Sequence, residues 1–147
     1  MATYSFLSVV ASISGPGGSF PLGSGAAPAK EGITIAPAGD RNIMMIGADG
    51  NGTHSLSANR SGTCTVRLLK TSPVNAMLQQ MYNLQTSNPL LHGKNSISVS
   101  DIARGDVISL SDCAFRKLGE LGYREEAEAV EWAFDYISES RILGPGI

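Results

Sequence analysis

Residues 63–87 read TCTVRLLKTSPVNAMLQQMYNLQTS, and the hydrophobic period changes within that stretch. Cys64, Val66 and Leu68 alternate with Thr63, Thr65 and Arg67, the period-two pattern of a strand with one buried face. After Ser72-Pro73 the apolar residues Val74, Met77, Leu78, Met81 and Leu84 recur at offsets of three, four and seven, which predicts a helix over about 73–87. Ser72 is a good N-cap, and Pro73 suits the first helical position, where its missing N–H costs nothing. The helix is expected to stop before Asn88-Pro89 and to turn Asn75, Gln79, Gln80 and Asn83 away from the core. One helix beside a strand of this type predicts a mainly β protein with the helix laid against the sheet.

Working outward, the rest of the chain reads as strands and turns. Thr3 to Ile13 is expected to be a strand ending at Gly15-Pro16-Gly17-Gly18, and residues 15–30 a Gly/Pro-rich loop with a short paired piece near Ser19 to Leu22. Ile33 to Pro37 and Asn42 to Ile46 read as strands around a turn at Asp40. Asp49-Gly50-Asn51-Gly52 is hairpin chemistry, because Asp, Asn and Gly tolerate the positive φ of a tight turn. A strand over Thr53 to Asn59 follows, then strands over 97–99, 107–110 and 113–118 around a turn at Arg104-Gly105-Asp106. Between Glu125 and Ile137 two patterns compete. Ala127, Val130, Phe134 and Ile137 fit a helical stripe, but Val130, Trp132, Phe134 and Tyr136 alternate strictly, and three alternating aromatics decide for a strand over about 130–138.

The chain has 147 residues, enough for a single domain, 1–147, that buries a core without disulfides or metals. Charged residues are 16% of it, below the usual share of about 25%, while Gly and Ser are abundant. Such a surface suits a protein whose faces are covered by copies of itself. A net charge of −2 argues against an electrostatic nucleic-acid binder. Cys64 and Cys113 lie 49 residues apart, without metal-ligand spacing, and are expected to be buried free thiols. The N-terminal stretch lacks the basic start of a signal peptide, and no apolar run is long enough to span a membrane, so use in a cytoplasm without a membrane anchor is expected.

No reactive constellation stands out. His54 and His92 lack a local nucleophile motif and have no carboxylate at metal-binding spacing. Residues 47–52 lack the Lys of a phosphate loop and the closing Glu of a calcium loop, so a turn is favoured. Glu125, Glu126, Glu128 and Glu131 read as a solvated face rather than a hydrolase pair. No enzyme activity, cofactor or metal is expected; a small β-domain hydrolase or ligand-binding module is the alternative from another class.

Taken together, SGTCTVRLLKTSPVNAMLQQMYNLQTS (61–87), GPGGSFPLGSG (15–25), MIGADGNGTHSL (45–56), DIARGDVIS (101–109) and EWAFD (131–135) resemble the tail tube proteins of contractile-tailed bacteriophages. The resemblance implies an antiparallel β-sandwich or barrel with one flanking helix, similar to other phage tail tubes and, more distantly, to the Hcp tube of type VI secretion. It also implies hexameric rings stacked inside a sheath, with sheath, baseplate and tail terminator proteins as partners. The protein would be a virion component assembled in the bacterial cytoplasm, with DNA passing through the lumen without specific binding. A tube-end or baseplate ring of the same fold is the alternative reading. On this basis Gly15, Pro16, Gly17, Gly18, Asp40, Asp49, Gly50 and Asn51 are expected in assembly loops. Alternation opposite the aromatics sets Glu131 and Asp135 on a candidate lumen face, expected to be polar and net acidic.

Overall fold

The computed structural model describes residues 3–23 and 28–145. Among them are ten strands: β1 (Val9–Gly15), β2 (Gly18–Pro21), β3 (Pro28–Pro37), β4 (Ile43–Ile46), β5 (Gly52–Ser55), β6 (Gly62–Leu68), β7 (Asn95–Asp101), β8 (Asp106–Lys117), β9 (Val130–Tyr136) and β10 (Ser138–Ile142). The single α-helix among the described residues, α1 (Val74–Thr86), lies between β6 and β7.

Eight strands form one antiparallel sheet in the order β2-β1-β7-β8-β9-β6-β3, with β10 also paired to β8. The long β8 is what lets this sheet curl. Its first half pairs with β7 and β10, Ser109 facing both Ser98 and Ser140, and its second half pairs with β9 through Ala114–Asp135 and Phe115–Phe134. The change of partner falls at Asp112, the one non-glycine described residue with positive φ (54°), where the ladder is irregular. An extra residue at such a point bends the strand and increases its twist. The two halves fold over a common core holding Ile13, Ile97 and Leu110 from one side and Cys64, Val66, Trp132 and Phe134 from the other. A cavity of about 290 Å³ remains between them, lined by Phe6, Ile33, Ile35, Val99, Ile108 and Arg141 among others.

β6 alternates as its sequence dictates, with Cys64, Val66 and Leu68 all fully buried. In β9, Val130, Trp132, Phe134 and Tyr136 are buried, which settles the strand reading of that stretch. Phe115 joins these aromatics to the helix, its ring 5.5 Å from Tyr82, 6.1 Å from Trp132 and 4.7 Å from Phe134 between centroids. Both cysteines are free and buried.

The helix sits where expected, but its buried stripe is Val74, Leu78, Met81 and Gln85; Met77 and Leu84 are each 43% exposed. Offsets of four, three and four track one face of a 3.6-residue helix as well as the all-apolar set does, and packing selects that face. Asn75 does not face away: its Oδ1 accepts the Trp132 indole N–H at 3.0 Å. The helix begins at Val74 with Pro73 at the N-cap position rather than Ser72, whose Oγ still accepts from Val74 N–H (3.2 Å). Three other boundaries shift. Phe6–Ser8 is a 3₁₀ turn, so the first strand begins at Val9 and not Thr3. Residues 15–30 are not one loop, since β2 and the start of β3 fall within them, and residues 24–27 lie outside the described residues. The strand expected over Thr53 to Asn59 ends at Ser55.

Candidate assembly surfaces

Residues 38–61 leave the main sheet as an arm whose β4 and β5 pair only with each other. The turn forms as its composition dictates: Gly50 takes φ 91°, and Asp49 accepts from both the backbone N–H (3.1 Å) and the side-chain amide (2.8 Å) of Asn51. Asp49, Gly50 and Asn51 therefore sit at the arm's tip, and Asp40 at its exposed base. β4 is four large apolar residues in a row, all exposed: Ile43 66%, Met44 58%, Met45 72% and Ile46 56%. At the base, Arg41 donates to the carbonyls of Asn59 (2.6 Å) and Ser61 (3.1 Å) and stands 3.7 Å from the buried Glu139 carboxylate. Glu139 also accepts from the Tyr136 hydroxyl (2.7 Å) and pairs with Arg141. Arg41 and Glu139 thus pin both limbs of the arm to the start of β10. Sequence reasoning missed this pair, which the chain separates by nearly a hundred residues.

Gly15, Pro16, Gly17 and Gly18 form a separate, tight β1–β2 turn packed on the helix. Gly17 takes φ 109°, and a Cβ there would stand 3.2 Å from Met81 Cα. Gln85 and Asn95, both fully buried, hold this turn. Gln85 Nε2 donates to Asn95 Oδ1 (2.6 Å) and to Pro16 O (2.9 Å), and Asn95 Nδ2 donates back to Gln85 Oε1 (2.9 Å). The amide clasp ties the helix C-terminus, the start of β7 and the turn together. Its one sequence signal is that Gln85 continues the stripe of Leu78 and Met81.

Glu131 and Asp135 do share the outward face of β9, with side chains 42% and 58% exposed. That face is not net acidic. Register sets Arg67 directly opposite Glu131 and Thr63 opposite Asp135. Glu131 pairs with Arg67 (3.3 Å) and Lys117 (3.8 Å), and Asp135 with Arg116 (3.9 Å). Three cations against two carboxylates make a compensated, slightly basic patch. The opposite half of the sheet carries a different surface: Ser12, Ser98, Ser109 and Ser140 are register partners in one row across β1, β7, β8 and β10.

The remaining candidates resolve into structure. His54 lies on the arm and His92 in the segment after the helix. Arg104-Gly105-Asp106 is a turn with Gly105 at φ 82°, its backbone held by Asp101. Glu125, Glu126 and Glu128 are exposed on the connection before β9, with Glu128 paired to Arg124. Among the described residues no group of three or more His, Cys, Asp or Glu side chains is placed to hold a metal ion. None of their helices is long and apolar enough to cross a membrane.

Comparison with solved structures finds the same fold in contractile injection systems. The sheath–tube complex of the extracellular contractile injection system PVC matches with a TM-score of 0.60 at 13% identity, over 92% of this chain and 88% of that one. The tube-terminating cap of the anti-feeding prophage matches at 0.57 and 12% identity, over 98% and 95%. The PVC sheath/tube terminator matches at 0.52 and 16%, over 91% and 92%. No curated protein matches the sequence. The family model described as bacteriophage PhiTE tail tube protein matches residues 1–144, so the chain belongs to that family of phage tail tube proteins.

Proposed function

We propose that this chain is the repeating subunit of the inner tube of a contractile phage tail. Copies close into hexameric rings, and rings stack inside the sheath as the conduit for DNA ejection. The observation that carries this reading is the tail tube family match across 1–144. The surface supports it: an arm whose four β4 residues are apolar and exposed among the described residues suits a protein completed by its neighbours. The role is structural, without a catalytic step or cofactor. Sheath, baseplate and tail terminator are its partners, the assembled virion is its location, and assembly takes place in the host cytoplasm.

The Glu131/Asp135 face is the candidate lumen wall. Each cation on it stands within 4 Å of a carboxylate, so phosphates passing by meet paired rather than free charge. The one net positive charge that remains leaves only weak contact with phosphate, without sequence preference. The match to a tube-terminating cap over nearly the whole chain favours one second reading, a ring that closes the tube end instead of repeating along it. Negative-stain electron microscopy of the purified protein separates the two. Long tubes support the repeating subunit, single rings support the cap, and monomers contradict both.

A further inference from the structure

The two ends of the β6–β9 strand pair carry opposite charge. At one end Pro37, Arg41, Arg60, Glu139 and Arg141 line a pocket of about 240 Å³. The buried Glu139 carboxylate holds two of the arginines in place, accepting from Arg141 Nε at 2.6 Å with Arg41 3.7 Å away. Arg60 makes no hydrogen bond or ion pair among the described residues, so its fork of donors is uncommitted. Three guanidiniums against one carboxylate leave the pocket with a net charge of +2.

At the other end, residues 120–128 read ELGYREEAE, four carboxylates against Arg124, for a net charge of −3. Glu128 pairs with Arg124, whereas Glu125 and Glu126 are exposed and make no ion pair among the described residues. The segment is held in place: Lys70, just beyond β6, donates to the Gly122 carbonyl and stands 3.8 Å from the centre of the Tyr123 ring. Gly62 pairs with Tyr136 at the pocket end and Leu68 with Val130 at the acidic end, so the two surfaces lie about 20 Å apart along the strands. A single subunit cannot bring them together.

We propose that the pocket of Arg41, Arg60 and Arg141 binds the Glu125 and Glu126 carboxylates of a second copy of this chain, joining copies head to tail through charge. The inference rests on the tube reading and names one contact within it. Planar guanidinium forks match carboxylates in geometry as well as in sign. Glu139 acts indirectly, by keeping Arg41 and Arg141 at the pocket wall. Because the two surfaces differ and sit at opposite ends, each copy receives at one end and is received at the other, and the contact repeats from copy to copy. Like charges at matching ends disfavour head-to-head and tail-to-tail pairing.

Charge reversal tests the contact. Arg60→Glu alone, and Glu125→Lys together with Glu126→Lys, should each leave the thermal melt of the dissociated subunit unchanged and abolish pelletable tubes. All three substitutions on one chain pair the reversed charges with each other and should restore tubes. The inference is overturned if either reversal still assembles, or if the combined variant stays dissociated. It is also overturned if either reversal lowers the melt, which would place these charges in contacts of the subunit itself. Loss of tubes on reversing Arg60 but not the glutamates would give the pocket to some other anion. Failure of the unsubstituted protein to form tubes would instead remove the tube reading, and this contact with it.

Discussion

Replacing Asn95 with alanine should cost the subunit about 3 kcal/mol of stability. Asn95 and Gln85 are fully buried and exchange two hydrogen bonds of 2.6 and 2.9 Å, and Gln85 makes a third to Pro16 O. Truncation leaves Gln85 Oε1 without its donor inside the protein, worth about 1–3 kcal/mol, and opens a small cavity beside it. At about 2–4 °C per kcal/mol for a chain of this size, melting should fall by about 6–12 °C. Gln85→Met should cost a similar amount. The double substitution Gln85→Met with Asn95→Leu removes both amides, and so leaves only the Pro16 carbonyl short of its donor. It should therefore cost clearly less than the sum of the single changes. Urea titration of dissociated subunits gives the three values and the coupling between them. Additivity within about 0.5 kcal/mol would refute the clasp, since uncoupled positions add to that accuracy.

Leu78→Asp should abolish folding by burying an unpaired charge, whereas Met77→Asp, at a half-exposed position one residue earlier, should leave a soluble subunit; solubility and circular dichroism compare them. Burial pushes the Cys64 thiol up from 9.0 to about 12, with Cys113 adding to it, and burial pushes Cys113 up to about 11. The unfolded chain releases these protons from pH 9.0 upward while the folded one keeps them, so stability is complete below pH 9.0 and falls as pH rises towards 11. The expected loss approaches about 1.4 kcal/mol per pH unit for each thiol, read from urea midpoints, and neither thiol should react with a disulfide reagent at neutral pH before unfolding. Arg41→Ala should cost about 1–2 kcal/mol and expose the arm between residues 40 and 60 to limited proteolysis, because both limbs lose their tie to Glu139.

The parts of this fold that were legible in the sequence are those fixed by local periodicity. β6 and β9 each bury an alternating face, and the helix begins just after Ser72-Pro73, because a few adjacent residues decide each of these. What could not be read depends on register between distant strands. Glu131 looks like part of an acidic surface until β6 is laid beside β9 and Arg67 falls opposite it. Gln85 falls on the stripe of Leu78 and Met81, but nothing local shows that Asn95 arrives from the next strand to satisfy it. The choice between Met77 and Gln85 for the buried stripe is made by what the helix packs against, not by spacing. The bend of β8 at Asp112 carries no glycine or proline signal, and the apolar runs 107–110 and 113–118 do not show that they belong to one strand that changes partners midway. The arm itself was marked by its turn, but the significance of four exposed apolar residues appears only once the core is known to exclude them.

Cryo-electron microscopy of the particles formed by the purified chain tests the central claim most directly. The account predicts stacked rings of this subunit around an open channel, with the Glu131 and Asp135 face turned to the lumen and Ile43 to Ile46 buried against neighbouring copies. Isolated monomers, or single rings that never stack, would contradict it.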